Sequence, residues 1–318
     1  MRQMILVTGA LGQIGSELTV ELRKVYGTDQ VIASDIKPNP NGNVQTAGPF
    51  HILDCLDAGK LAEIVKQYRI NTIYHLAAVL SAVAESRPQL AWQVNITGLY
   101  NVLEVAREYH CSVFTPSSIG AFGPTTPPDR TPQDTIQRPK TMYGVTKVAG
   151  ELLCDYYFYR FGLDTRGLRY PGLISYQTLP GGGTTDYAVE IYYEAIKNRK
   201  YTCYLKKGTF LDMMYMPDAL HAAISLMEAD PKRLKHRNAF NVTAMSVDPE
   251  AITCAIQKHI PEFRITYQID PVRQAIADSW PNSLDDSAAR EEWGWQPKFT
   301  LETMTSDMLA KLTVKLKK

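Results

Sequence analysis

A chain of 318 residues with 45% hydrophobic and 21% charged content has the make-up of an ordinary globular protein, long enough for one large or two modest domains. Its 34 lysines and arginines nearly cancel 33 aspartates and glutamates, and a net charge of +1 gives no reason to expect nucleic acid or an anionic membrane as partner. No apolar run approaches the ~18 residues of a membrane span. Five dispersed cysteines without a C-x-x-C pair suggest reduced thiols in the cytoplasm, and six scattered histidines give no metal-ligand spacing.

The chain opens directly on a strand, with no basic segment leading into an apolar signal core. Met4–Val7 is a short, continuously apolar run, the mark of a parallel strand buried on both faces. Gly9-Ala10-Leu11-Gly12-Gln13-Ile14-Gly15 follows at once, then a helical run from Ser16 to Tyr26, a second strand, Val31–Ser34, and Asp35. Strand, glycine-rich turn, helix, strand and acid in that order form the βαβ fingerprint of a dinucleotide site. Gly9 permits the tight turn, Gly12 lets the backbone approach a pyrophosphate, and Gly15 allows close packing of helix on strand. The helix start at Gln13 and Ile14 offers N–H groups to phosphate. Asp35 stands where an acid accepts hydrogen bonds from the adenosine ribose; a carboxylate there repels a 2′-phosphate and favours NAD over NADP.

A third strand ends at Ile52-Leu53-Asp54, with Asp54 either near an adenine edge or acting as a strand-end cap. Leu61–Tyr68 reads as a helix, and Thr72–Ala78 as a buried strand whose Leu76-Ala77-Ala78 end leaves room for a cofactor. Leu90–Tyr109 reads as one long helix containing Asn95, and Ser112–Ser118 as a fifth strand. This alternation predicts an α/β fold: a Rossmann-type doubly wound parallel sheet with ligands at the carboxyl ends of its strands, where Gly9, Asp35, Ala77 and Ser118 fall. Five prolines between residues 124 and 139 mark an ordered loop before a helix from Tyr143 to Phe161. That helix and the 90–109 helix are apolar over much of their length, which suits burial in one domain or pairing across a two-fold axis as a homodimer.

A strand over Thr165–Tyr170 follows, then a glycine-rich stretch from Pro180 to Asp186 that reads as a mobile flap or a merely flexible connection, then a helix over Tyr187–Lys197. The remainder mixes strands (Lys200–Leu205, Met213–Met216, Ala239–Val242, Phe263–Tyr267) with helices (Pro217–Glu228, Ser287–Glu292, Leu301–Leu316). Residues 1–174 are expected to form the NAD-binding domain, with the chain returning to it around 213–245. Residues 175–318 are expected to form mainly a smaller C-terminal α/β substrate lobe.

Tyr143-Gly144-Val145-Thr146-Lys147 places a phenol and an ammonium one turn apart on one helix face. A free phenol titrates near pH 10 and is a poor base at neutrality, and a neighbouring ammonium favours its phenolate.

The glycine fingerprint, Asp35, Ser118 and Tyr143-x-x-x-Lys147 together resemble the extended short-chain dehydrogenase/reductase family. The resemblance runs essentially end to end, including Trp293-Gly294-Trp295-x-Pro297. It is greatest to that family's epimerase-like L-threonine 3-dehydrogenase branch, through Leu80-Ser81-Ala82, the run from Pro116 to Pro124, Gly183-Thr184-Thr185-Asp186-Tyr187-Ala188, Met213–Pro217 and Trp280–Leu284. It implies a catalytic Ser118, Tyr143 and Lys147. It also implies an NAD site extended by Leu76, Ala77, Ala78, Asn95 and Tyr170, and threonine contacts from Ser81, Ser118, Tyr143, Gly183, Thr184, Thr185 and Trp280. Asp186 is a candidate for the substrate ammonium or an ordinary helix cap. Two departures from sister branches matter. Leu211 stands where nucleotide-sugar epimerases carry a phosphate-binding arginine, and Ile119-Gly120 follows Ser118 where sugar dehydratases carry Asp-Glu. A nucleotide-sugar epimerase or dehydratase and a non-catalytic NAD-binding scaffold remain the alternatives.

Overall fold

The computed structural model describes residues 3–40, 42–178 and 183–317. The chain divides into two compact units. The first comprises Met1–Ala121, Lys140–Arg169 and Leu220–Phe240, and the second Phe122–Pro139, Tyr170–Ala219 and Asn241–Lys318. The main boundary thus falls at 169/170, and the returning segment is Leu220–Phe240.

The first unit is built on six parallel strands: β1 (Ile5–Thr8), β2 (Val31–Asp35), β3 (Phe50–Ile52), β4 (Thr72–His75), β5 (Ser112–Phe114) and β6 (Thr165–Arg166), in the order β3-β2-β1-β4-β5-β6. This is the order of a doubly wound Rossmann sheet. The apolar run of β1 is fully buried because β2 and β4 flank it, Leu6 pairing with Ile32 on one side and Ile73 on the other. Leu6, Ile32, Ile73 and Val113 pack against Leu61, Ile64 and Val65 of the Ala58–Tyr68 helix, Val102, Leu103 and Ala106 of the Gly98–Tyr109 helix, and Cys154 and Tyr157 of the Met142–Phe161 helix.

Three departures from the sequence reading have local causes. The expected 112–118 strand breaks into β5 and a short Ser117–Ser118 piece at Thr115-Pro116, where proline has no N–H for the ladder. The expected 165–170 strand breaks at Gly167, whose absent Cβ would lie 2.5 Å from the Thr115 carbonyl oxygen. The expected 90–109 helix is interrupted: Pro88–Trp92 and Gly98–Tyr109 are α-helical, with a wide π turn over Gln93–Thr97 between them. A short helix, Ser81–Ser86, was not anticipated.

The second unit has its own core, in which Tyr187, Ile191 and Tyr192 of the Tyr187–Lys197 helix meet Leu211, Met213 and Tyr215, Ile252 and Ile256, and Met304 and Met308. Leu211–Tyr215 pairs in parallel with Gly172–Ile174 and antiparallel with Met245–Val247, while Lys200–Cys203 pairs in parallel with Arg264–Tyr267. Asp218 anchors the late tryptophan element by accepting Lys298 N and Phe299 N at 3.0 Å each, and Trp295 is buried. Pro180, Gly181 and Gly182 of the expected flap lie outside the described residues. No helix is long and apolar enough to cross a membrane among the described residues.

Candidate active site

The glycine turn after β1 is fixed by close approach. Gly9 has φ +70°, and a Cβ there would lie 2.6 Å from Ala77 N. A Cβ on Gly15 would lie 2.2 Å from the Gly9 carbonyl oxygen, so only glycine lets the Gln13–Tyr26 helix start this close to the turn. Gly12 is the helix N-cap, and a Cβ there would meet one atom only, Gly9 O at 3.3 Å, which leaves its outer side open. The first-turn amides of Gln13, Ile14 and Gly15 have no intrahelical carbonyl to bond, and no acid occupies that turn. The result is a cradle that a side chain would fill and a pyrophosphate fits.

Asp35, at the end of β2, accepts Leu11 N on Oδ2 at 2.9 Å and Ile36 N on Oδ1 at 2.8 Å. It therefore buckles the glycine turn to the next strand, and a carboxylate with two bonds still has lone pairs for ribose hydroxyls. Asp54 is exposed and accepts Leu56 N at 2.9 Å, the strand-end arrangement. At the end of β4, His75 Nδ1 lies 2.7 Å from Thr8 Oγ1, tying the two strand ends together. Burial, with the Lys147 charge second, pushes His75 down to about 3, so it is neutral. Leu76, Ala77 and Ala78 follow. Asn95, buried in the π turn, grips both polar groups of Val79, accepting Val79 N at 2.7 Å and donating to Val79 O at 3.1 Å, and donates to Thr146 Oγ1 at 3.0 Å. The wide turn thus aims one amide at a loop and at the next helix together.

The Met142–Phe161 helix starts at a Thr141 cap, whose hydroxyl accepts Gly144 N at 3.1 Å. From it Lys147 Nζ donates to the Pro116 carbonyl oxygen at 2.7 Å and lies 5.4 Å from the centre of the Tyr143 ring. Ser118 Oγ accepts Gly120 N at 3.1 Å. A Cβ on Gly120 would fall 3.1 Å from the Tyr143 ring edge and 3.5 Å from Ser118 Oγ, so the hydroxyl and the ring flank the same glycine. Ser118, Tyr143 and Lys147 are brought together, each half-buried. A cavity of about 40 Å³ beside Lys147 is lined by His75, Ala77, Ala78, Asn95, Ser117 and Glu151, among others.

Ser81 is buried at the first position of its short helix. The other substrate candidates belong to the second unit. Thr184 is buried and its carbonyl accepts the Tyr204 hydroxyl at 3.3 Å, while Thr185 is half-buried. Asp186 accepts Gly183 N at 2.5 Å, the arrangement of a helix-start acid closing its own turn. Trp280 is half-buried and packs on the second unit's core, and Tyr170 is buried with its hydroxyl donating to Ala219 O at 2.7 Å. Leu211 is fully enclosed in that core. The five cysteines are unpaired. Sequence reasoning missed Thr8, His75, Gly120 and the Glu151–Arg169 pair. Glu151, four residues after Lys147, was within reach of the same spacing argument.

The family model described as NAD dependent epimerase/dehydratase family matches residues 5–243. The solved L-threonine dehydrogenase of Clostridium difficile is 60% identical, with 99% of this chain and 98% of that one covered and a TM-score of 0.98. A monomeric L-threonine 3-dehydrogenase from a metagenome is 46% identical, with 99% and 100% covered and a TM-score of 0.94. An uncharacterized epimerase/dehydratase of Staphylococcus saprophyticus is 56% identical over 305 residues, 96% of this chain and 95% of the relative. The glycine cradle fits the cofactor these likenesses indicate, which is NAD. The chain belongs to the NAD dependent epimerase/dehydratase family.

Proposed function

We propose that the protein oxidises the β-hydroxyl of L-threonine to give 2-amino-3-ketobutyrate. The observation that carries this reading is the convergence of the Ser118 hydroxyl, the Tyr143 ring and the Lys147 ammonium around Gly120 and Pro116. Gly9, Gly12, Gln13, Ile14, Gly15, Asp35 and Leu76–Ala78 would hold NAD, with Asp54, Asn95 and Tyr170 as further candidates. When bound, NAD supplies the hydride acceptor. Ser118 and Tyr143 hydrogen-bond the substrate hydroxyl, and Tyr143 takes its proton as general base. Lys147 stabilises the phenolate charge and binds the nicotinamide ribose. Ser81, Gly183, Thr184 and Thr185 supply donors for the substrate carboxylate, and Trp280 an apolar wall.

The likeness to threonine dehydrogenases supports the substrate. So does Leu211: a fully enclosed leucine leaves no bidentate cation for a sugar diphosphate at that position. Purified protein with NAD should raise absorbance at the NADH band with L-threonine and leave UDP-galactose unchanged by chromatography; no absorbance rise with L-threonine together with epimerised UDP-galactose overturns the substrate. We also propose a homodimer through the 90–109 and 143–161 helices, where Tyr100, Leu152, Tyr156 and Tyr159 are 48–78% exposed. Sedimentation at the mass of one chain across micromolar concentrations would refute it. Five free thiols suit a reducing cytoplasm.

A further inference from the structure

Glu151 stands one turn beyond Lys147, as Lys147 stands one turn beyond Tyr143, so all three share a helix face. A carboxylate in that position is placed to neutralise the lysine. It is engaged by other groups. Arg169, from the Leu168–Tyr170 strand, donates from Nε to Oε1 at 3.1 Å and to Oε2 at 3.3 Å, and from Nη2 to Oε2 at 2.9 Å. The Ser117 hydroxyl donates to Oε1. Ser117, Glu151 and Arg169 are each 7% exposed, and Ser117 is the neighbour of both Ser118 and Pro116, whose carbonyl holds Lys147.

We propose that Arg169 is a positioning residue for the reaction: with Ser117 it holds Glu151 away from Lys147, so that the lysine charge stays directed at Tyr143. The proposal rests on Tyr143 being the base. A buried pair of this kind adds little stability over an apolar pair of similar volume, which leaves charge placement as its contribution.

The other titratable and charged groups packed around this helix do not supply that control. His75, from β4, is neutral. Cys154, on the same helix, is pushed up by burial and stays protonated. Glu85 accepts Met142 N at the helix start, Glu104 accepts from Arg107 and from Tyr157, and Arg166 of β6 is bonded to Asp164.

The test is the pH profile of kcat/KM in full-length Arg169→Met, Glu151→Gln and the double variant Glu151→Leu/Arg169→Met, with thermal melting as a fold control. In Arg169→Met the freed carboxylate turns to Lys147, and the pH of half-maximal activity should rise by about one unit, a roughly tenfold loss below it with the plateau kept. Glu151→Gln should move it down, because a cation is left without its anion. The double variant should return it to within about 0.3 units of the parent. Loss of rate in all three at every pH, with the midpoint unmoved, overturns the proposal. If Arg169→Met does not fold, the other two decide: a lowered midpoint in Glu151→Gln and a parental one in the double variant support it, and unmoved midpoints with reduced plateaus overturn it. A fully active Tyr143→Phe control would instead remove the base assignment itself.

Discussion

In the first unit the candidate residues bond across long stretches of chain. Asp35 reaches back to Leu11, Asn95 to Val79, and Lys147 to Pro116, so each of three loops that end different strands is tied to a segment distant in sequence. In the second unit the polar candidates close on near neighbours or on their own core: Asp186 bonds Gly183 three residues away, and Trp280 packs inward. The difference teaches where each kind of specificity resides. On the proposed reading, cofactor seat and acid–base geometry would be built into the tertiary network before any ligand arrives. Of the second unit's polar candidates, Asp186 is held by local turn chemistry, which fixes backbone direction but not a rigid constellation.

Two measurements sharpen that contrast, the larger first. Tyr143→Phe removes one hydroxyl and leaves the ring over which Lys147 lies. Turnover should fall on the order of 10³-fold, while NAD affinity measured by fluorescence titration stays within about twofold, well under the tenfold that 1.4 kcal/mol would represent. Retained turnover would break the claim that the first unit carries the chemistry.

The smaller effect lies in the second unit. Asp212 is fully buried, accepting Thr243 Oγ1 at 2.5 Å and Leu284 N at 2.8 Å, and burial pushes its carboxyl up to about 8 in spite of those bonds. Its folded value therefore exceeds the ordinary carboxylate value of about 4. The stability it contributes is fully present below about pH 4 and is lost as pH rises toward 8, at up to about 1.4 kcal/mol per pH unit. Asp212→Asn should flatten the decline of melting temperature between pH 5 and 8 and leave the NADH assay near normal at pH 7; an unchanged slope would show that Asp212 is not the group responsible.

Much of this was legible in the sequence, for reasons that differ by element. The Tyr187–Lys197 and Leu301–Leu316 helices match their sequence bounds, the second starting at a capping box of Thr300 and Thr303. The Pro249–Gln257 and Pro271–Ala277 helices escaped notice although Asp248-Pro249 and Asp270-Pro271 carry the cap-and-proline signature, and both aspartates do cap. The catalytic candidates were readable because Tyr143 and Lys147 obey helix spacing. Arg169 was not, because an ion pair spanning 18 residues and two kinds of secondary structure leaves no period in the sequence. Asp35 was assigned to a ribose, yet its bond to Leu11 depends on how the turn folds back, which composition does not encode.

The wide turn at Gln93–Thr97 joins the Pro88–Trp92 and Gly98–Tyr109 helices and carries Asn95 between them. Such a turn accommodates one surplus residue locally, leaving the flanking segments in step. Removing that residue would restore regular pitch, and Ala91 and Leu99 could remain buried on either side. The amide of Asn95 would swing by about 100° about the axis and lose its two-point hold on Val79. The protein would then stay folded while the loop after β4 went slack, so that one residue out of 318 serves the placement of that loop and not the packing of the core.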